Sequence, residues 1–260
     1  MPEVIHAATT MPPDLIRSLV GQFPDGVQCR HVLVRDTDVF KPDGSLLLAF
    51  RKRGAPSAAW DRAYPAVRRS ARKVDPFTGR RVAAGGQDNF RSGTIGYMRG
   101  RLTNTTRSDM RTWLATHPLV RAIDSVFRTE CPVQYEAHRA AVCGVSYRCL
   151  ISGTLFTTLT CNRTDAVAGV TARTACHPDR GNVPGAYGAL SVAGRYTGGL
   201  LVFPKFRVAV DLQPLDVLIA DNRELHGNTA IEGHRLSLVC YVHATNRERA
   251  DATTPGGPRT

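Results

Sequence analysis

Leu200-Leu201-Val202-Phe203-Pro204-Lys205-Phe206-Arg207-Val208-Ala209-Val210-Asp211-Leu212 holds two short β-rich runs, Leu200–Phe203 and Phe206–Leu212, parted by Pro204-Lys205. Short runs rich in branched and aromatic residues, bounded by turn residues, read as strands. The same texture extends both ways. Upstream lie Leu155–Cys161, Tyr187–Val192 and the turn Gly198-Gly199; downstream, Gln213-Pro214 leads into Val217–Ala220 and then Leu236–Val242. Several short strands at this spacing predict a sandwich or barrel. From Arg107 to Val142 the pattern is helical instead, with Met110, Trp113, Leu114 and then Val120, Ile123, Val126, Phe127 three and four residues apart. Ser108 is a candidate N-cap, and Pro118 and Pro132 are expected to open new helices. Helices first and strands later predict an α+β chain built on a β core.

A chain of 260 residues has room for one sizeable domain. We expect residues 1–143 to form a helical and basic N-terminal part, 144–246 the β core and 247–260 a frayed tail. Residues 51–90, rich in Arg, Ala, Gly and Pro, read as a long flexible loop. No apolar run approaches the roughly 20 residues a membrane-spanning helix needs. The start Met1-Pro2-Glu3-Val4-Ile5-His6 lacks the basic-then-apolar pattern of a secretory signal, so cytoplasm or nucleus is the expected location. Seven cysteines, an odd number, form no CxxC pair, which argues against a disulfide framework and a structural zinc site. The net charge is +12, and between Arg51 and Arg101 thirteen Lys or Arg face three acids. Concentrated positive charge attracts polyanions, nucleic acid above all; the plainer reading is a solvated basic loop.

Within the β region stands His177-Pro178-Asp179, and His226 follows 47 positions later. Read as a strand, His177 and Asp179 share a face. Two histidines and a carboxylate are the facial triad that binds non-haem Fe(II) and leaves positions open for a 2-oxo acid and O2. Nine residues on comes Arg235, then Ser237 on the same side of a predicted strand. A guanidinium fork suits the distal carboxylate of 2-oxoglutarate, and a serine hydroxyl adds a bond. His-x-Asp alone is common by chance; the whole series is much more specific.

Gly153-Thr154-Leu155-Phe156-Thr157-Thr158, Asn162, Thr174-Ala175-Cys176-His177-Pro178-Asp179, Gly198-Gly199-Leu200-Leu201-Val202-Phe203-Pro204, Asp216-Val217-Leu218, Glu224-Leu225-His226-Gly227-Asn228 and Arg235-Leu236-Ser237 together resemble the TET/JBP branch of 2-oxoglutarate dioxygenases. Upstream, Gly93-Thr94-Ile95-Gly96-Tyr97 and the helices to Ala141 are similar to the lead-in of compact microbial or phage-like members. The resemblance implies a double-stranded β-helix (jelly-roll) core with flanking N-terminal helices, and Fe(II), 2-oxoglutarate and O2 as cofactor and co-substrates. It implies a monomeric enzyme acting on the 5-methyl group of 5-methylcytosine in DNA, with the base flipped out. Carried over residue by residue, it gives Asn182 and His243 to the base edge and Tyr241 to stacking on the base. Arg173 is implied at the other end of 2-oxoglutarate, and Asn162 beside it. Two departures stand out: Thr164–Val170 is extra length, and no cysteine-rich zinc module is present.

Each assignment has a plainer competitor. The triad could be a surface His-Asp pair with a loop histidine, and Arg235 a rim ion pair. Asn182 could be a turn residue, Tyr241 core, and His243 a satisfied strand-end histidine. Thymine oxidation to 5-hydroxymethyluracil, a protein or small-molecule substrate, and a non-catalytic nucleic-acid-binding jelly roll are the rival functions. His6, His31, His117, His138 and His234 are read as surface or structural.

Overall fold

The computed structural model describes residues 1–8, 11–71, 90–165 and 172–247. Its strands are β1 (Glu3–His6), β2 (His31–Leu33), β3 (Thr37–Phe40), β4 (Leu46–Arg51), β5 (Phe90–Met98), β6 (Arg101–Leu102), β7 (Thr158–Asp165), β8 (Ala172–His177), β9 (Gly188–Gly198), β10 (Leu201–Phe203), β11 (Val208–Val210), β12 (Val217–Ala220) and β13 (His226–Tyr241). The helices are α1 (Pro13–Ser18), α2 (Ser57–Ser70), α3 (Asn104–Ser108), α4 (Met110–Glu130) and α5 (Pro132–Ala141).

Strand β13 organises the molecule. Its first residues pair with β8 and β10, bringing His226 opposite His177 and Asn228 opposite Leu201. Its later residues pair with β9 and β7, so that Ser237 lies between Val192 and Asn162. The larger side runs β1-β3-β4-β12-β9-β13-β7-β5, and the smaller runs β8-β13-β10-β11-β2. Pairing is antiparallel except for β1 with β3 and β2 with β11. This mixed sheet, curled into a half-barrel with helices outside, is the α+β jelly-roll architecture the sequence predicts.

Alternation along the strands separates two interiors. Leu236, Leu238 and Cys240 of β13, with Leu159 and Cys161 of β7, pack against Trp60, Trp113, Ile123 and Phe127 of the helices. The opposite face of the same strands presents Arg235, Ser237, Val239 and Tyr241, with Thr160, Asn162 and Thr164, to a cleft. A second cluster joins Leu48, Phe50, Val192 and Leu218 to Phe203, Phe206, Val208 and Val210 and closes the half-barrel floor. Period-two alternation thus gives the helices an apolar face and the cleft a mixed one.

Several expectations need correction. Residues 57–70 of the expected 51–90 loop are helix α2, with Trp60, Ala63 and Val67 buried and the Trp60 indole N–H donating to Ser191 Oγ at 2.9 Å. The three- and four-residue spacing of those residues carries the helix despite Arg62, Arg68, Arg69 and Pro65. Residues 72–89 lie outside the described residues, as do 166–170 of the extra segment and 248–260 of the tail. The N-terminal part is not only helical: β1, β3 and β4 extend the large sheet. Ser108 ends α3 rather than capping α4; Asp109 is the cap, accepting from Thr112 N at 3.0 Å. Pro118 sits inside α4, because Trp113, Thr116, Leu119, Val120, Ile123 and Phe127 share one buried face on both sides of it. Burial of that continuous face outweighs one lost backbone bond. Pro132 does open α5.

Candidate metal and co-substrate site

His177 is the last residue of β8, and the strand does not continue to Asp179 as expected. The chain turns at Pro178, and Asp179 returns to the site because its N–H donates to Asn222 O at 2.9 Å. His226 opens β13 directly opposite His177, their rings 4.7 Å apart between centroids. The Nδ1–H of His177 donates to Ala175 O at 2.8 Å and that of His226 to Glu224 O at 2.9 Å. Bonding at Nδ1 selects the tautomer that leaves Nε2 as the ligating atom. The two Nε2 atoms lie 3.6 and 3.9 Å from the oxygens of Asp179, and one donor atom from each of the three residues fits within 4.8 Å. Two imidazoles and one carboxylate on one side of a cleft are the donor set a non-haem Fe(II) site requires.

Arg235 faces the same cleft of about 340 Å³. It is 6 % exposed, donates from Nη1 to Gly199 O at 3.1 Å and lies 5.3 Å over the Tyr196 ring. Among the described residues no carboxylate forms an ion pair with it, and burial pulls its pKa down against the weaker opposing influence of Tyr196 and of the Asp211 charge. A buried cation without an anion in contact with it is costly, which fits a site built to receive one end of a dicarboxylate. Gly199 makes the position possible: a Cβ there would lie 2.8 Å from Arg235 Nη1 and 2.5 Å from the Ile231 side chain. Ser237 and Asn162 line the same wall, and Ser92 Oγ donates to Asn162 Oδ1 at 2.9 Å. Arg173 does not join them. Its guanidinium stacks 4.0 Å over Phe23 and pairs with Asp25 at 3.1 Å, so the role expected of it at 2-oxoglutarate is not supported.

The three expected base-reading residues all line the cleft. Tyr241 ends β13, and His243 follows in an isolated bridge to Asn182, the two rings 6.1 Å apart. Thr245 N–H, which can only donate, points at His243 Nδ1 at 3.2 Å, so the Thr245 hydroxyl 2.7 Å from the same nitrogen donates to it as well while accepting from Arg99 N at 3.0 Å. Nδ1 is therefore an acceptor, and neutral His243 carries its proton on Nε2. Burial, and then the Arg99 charge, push its pKa down. Asn182 departs from expectation. It is 1 % exposed, its amide hydrogens go to Ala186 O at 3.2 Å and Asn222 Oδ1 at 2.8 Å, and its Oδ1 accepts from Val242 N at 3.2 Å. Both donors are consumed inside the protein, so this geometry does not support an N–H aimed at a base. Asn222 and Thr245 escape a reading of the sequence: each lies in a short turn after a strand, where Asn and Thr are ordinary.

Comparison with known proteins agrees with this geometry. Residues 98–244 match the family model described as the oxygenase domain of the 2OGFeDO superfamily, Tet_JBP. The chain is 32 % identical over 165 residues to thymine dioxygenase JBP1 of Trypanosoma brucei brucei, covering 60 % of this chain and 18 % of that protein. It is 31 % identical over 198 residues to thymine dioxygenase JBP1 of Leishmania infantum, covering 72 % of this chain and 23 % of the relative. The match thus spans about a fifth of the length of these relatives. The structure of NgTET1 in complex with 5mC DNA superposes with a TM-score of 0.63 at 15 % identity, covering 84 % of this chain and 80 % of the other; at that identity it speaks to the fold alone. Since the family model covers more than half of the chain, and since the triad it requires is assembled here, the protein belongs to the TET/JBP family of Fe(II)- and 2-oxoglutarate-dependent oxygenases, with iron, 2-oxoglutarate and O2 as its cofactor and co-substrates.

Proposed function

We propose that the chain oxidises the 5-methyl group of 5-methylcytosine in DNA to 5-hydroxymethylcytosine. The observation that carries this reading is one continuous wall. Arg235 and Ser237 stand on β13 for the co-substrate, Tyr241 and His243 follow for a base, and the triad stands beside them in the same cleft. His177, Asp179 and His226 would hold Fe(II), which together with 2-oxoglutarate and O2 supplies the oxidising power for an unactivated C–H bond. Arg235 would grip the distal carboxylate bidentately. Tyr241 would stack on a base taken out of the duplex, since the cleft cannot reach a methyl group inside a stack. His243, held as an Nε2–H donor, needs an acceptor on the base edge. Cytosine offers two adjacent ones, N3 and O2, whereas thymine interposes an N3–H donor. A second reading, thymine oxidation to 5-hydroxymethyluracil, is favoured by the thymine dioxygenases among the relatives.

The deciding experiment measures succinate release and the modified base by mass spectrometry. The substrates are oligonucleotides containing 5-methylcytosine without thymine, or thymine without 5-methylcytosine. Succinate and 5-hydroxymethylcytosine from the first alone support the proposal, and product from the second alone transfers it to thymine. His177→Ala and Asp179→Ala are expected to abolish turnover in either case while leaving the fold intact. Normal succinate from either variant would remove the metal assignment itself.

A further inference from the structure

A directed chain of side-chain amides runs from the base side of the cleft to the carboxylate of the triad. Its far end is anchored on backbone groups that cannot exchange roles. Val242 N–H donates to Asn182 Oδ1 at 3.2 Å, and Ala186 O accepts from Asn182 Nδ2 at 3.2 Å. These two contacts fix which way the Asn182 amide faces. Its second N–H therefore meets Asn222 Oδ1, at 2.8 Å, and that contact fixes Asn222 in turn. Asn222 is left with its own N–H pointing at Asp179 Oδ2, at 3.0 Å. Both asparagines are buried, at 1 % and 8 % exposure, so neither can trade these bonds for water. Gly188 gives Asn222 its room, since a Cβ there would lie 2.7 Å from Asn222 Nδ2.

We propose that Asn222 is a positioning residue for the iron ligand Asp179, and that Asn182 acts through Asn222 rather than on a base. The N–H from Asn222 fixes the rotation of the carboxylate, which no longer sits on a strand to be held by the sheet. The Asn222 backbone carbonyl holds the Asp179 N–H from the same turn, so one residue grips the ligand at both main chain and side chain. The inference rests on the metal site of the function proposed above, and its consequence is specific. Asn182, which stands where TET-like enzymes read a base, should change metal binding when no nucleic acid is present.

The test titrates the full chain with Co(II) as a spectroscopic substitute for Fe(II), without nucleic acid, following the visible ligand-field bands. Loss of a partner that orients a metal ligand typically costs about 10- to 100-fold in affinity. Asn222→Ala and Asn182→Ala are each expected to weaken Co(II) binding by about tenfold or more. The double variant should be no weaker than Asn222→Ala within about twofold, because both changes cut the same chain and contacting residues do not add independently. Gly188→Ala approaches from the other side: its methyl group pushes the Asn222 amide off Asp179 without deleting it, and should reproduce the loss. Thermal melts of the metal-free variants establish that each is folded, and should Asn222→Ala fail to fold, Gly188→Ala and Asn182→Ala decide. Unchanged Co(II) affinity in folded Asn182→Ala and Gly188→Ala overturns the inference. A wild-type chain that binds no Co(II) would instead defeat the metal site on which it rests.

Discussion

Arg235 is the residue whose situation is least comfortable without a ligand. Its guanidinium is buried, has one backbone carbonyl and one aromatic face for company, and among the described residues touches no carboxylate, the nearest acidic influence being the Asp211 charge acting at longer range. A buried charge left uncompensated destabilises a fold, and replacing it with an apolar chain of similar length relieves that cost. Arg235→Met is therefore expected to melt at a higher temperature than the wild type when both are free of 2-oxoglutarate. Added 2-oxoglutarate should then raise the wild-type melting temperature, by an amount corresponding to about 2.7 kcal/mol at 100 times its Kd, and leave the variant unmoved. A variant that melts lower and still responds would mean that the cation has another partner. Tyr241 separates the other half of the site. Stacking on an aromatic ring contributes about 1–3 kcal/mol per base, so Tyr241→Ala should lower 5-hydroxymethylcytosine yield about ten- to a hundredfold. Its 2-oxoglutarate affinity should not move. Wild-type yield from that variant would put the base elsewhere in the cleft.

Strands and helices keep these side chains in register, and α5 does so partly through a histidine that must stay neutral. His138 is fully buried; its Nδ1 accepts from Tyr187 N at 3.0 Å, and its Nε2 faces Leu155 O at 3.4 Å. Burial pushes its pKa down to about 4, against an ordinary value of 6.5. The unfolded chain takes up this proton below pH 6.5 and the folded chain does not. The contribution is therefore whole above pH 6.5 and is lost as pH falls toward 4, by up to about 3 kcal/mol. Chemical denaturation across that range should show wild-type stability falling relative to His138→Gln, and parallel curves would exclude His138 as the source. At this scale the sequence was readable where a pattern is local. Val217–Ala220 is a strand with those bounds, and Arg235 and Ser237 do share a face. Only the C-terminal end of β13 was legible, because Gly227, Asn228 and Gly233 break the alternation while pairing with β8, β9 and β10 on either side supplies the missing order. Asp179 was placed on a strand because the two-residue spacing suits one; in the fold, Asn222 rather than strand geometry brings it beside His177 and His226 at the candidate metal site. The amide chain through Asn222 could not be read, since its members are far apart in sequence and common in turns.

Over the whole molecule the excess positive charge is spread differently from the way the linear sequence suggests. The basic stretch from Arg51 to Arg101 does not form one patch among the described residues. Arg51 is buried against Asp38 and Glu130, Lys52 pairs with Asp216, and Arg69 with Asp109. Arg68 and Arg69 end α2, which packs on the face of β7 opposite the cleft, while Arg72 and Lys73 lie outside the described residues. Around the cleft mouth the arrangement is different. Arg99 follows the lining residue Met98 and acts on His243, and Arg180 is exposed between the lining residues Asp179 and Gly181. Arg223 follows Asn222 and ties the rim together by donating to Arg180 O at 3.3 Å and Asn182 O at 2.8 Å. Neither Arg99 nor Arg180 has an acidic partner among the described residues, and both flank the proposed base pocket, where the phosphates of an extruded nucleotide would lie. Each phosphate contact contributes about 0.9 to the slope of log affinity against log salt for duplex DNA. Arg99→Gln combined with Arg180→Gln is therefore expected to flatten that slope by nearly 2 in a fluorescence binding titration. Arg68→Gln combined with Arg69→Gln should change it little, and Fe(II) and 2-oxoglutarate binding should survive in both. If the second pair flattens the slope and the first does not, DNA approaches across the helical face, and the flipped-base geometry proposed for Tyr241 and His243 fails with the rim.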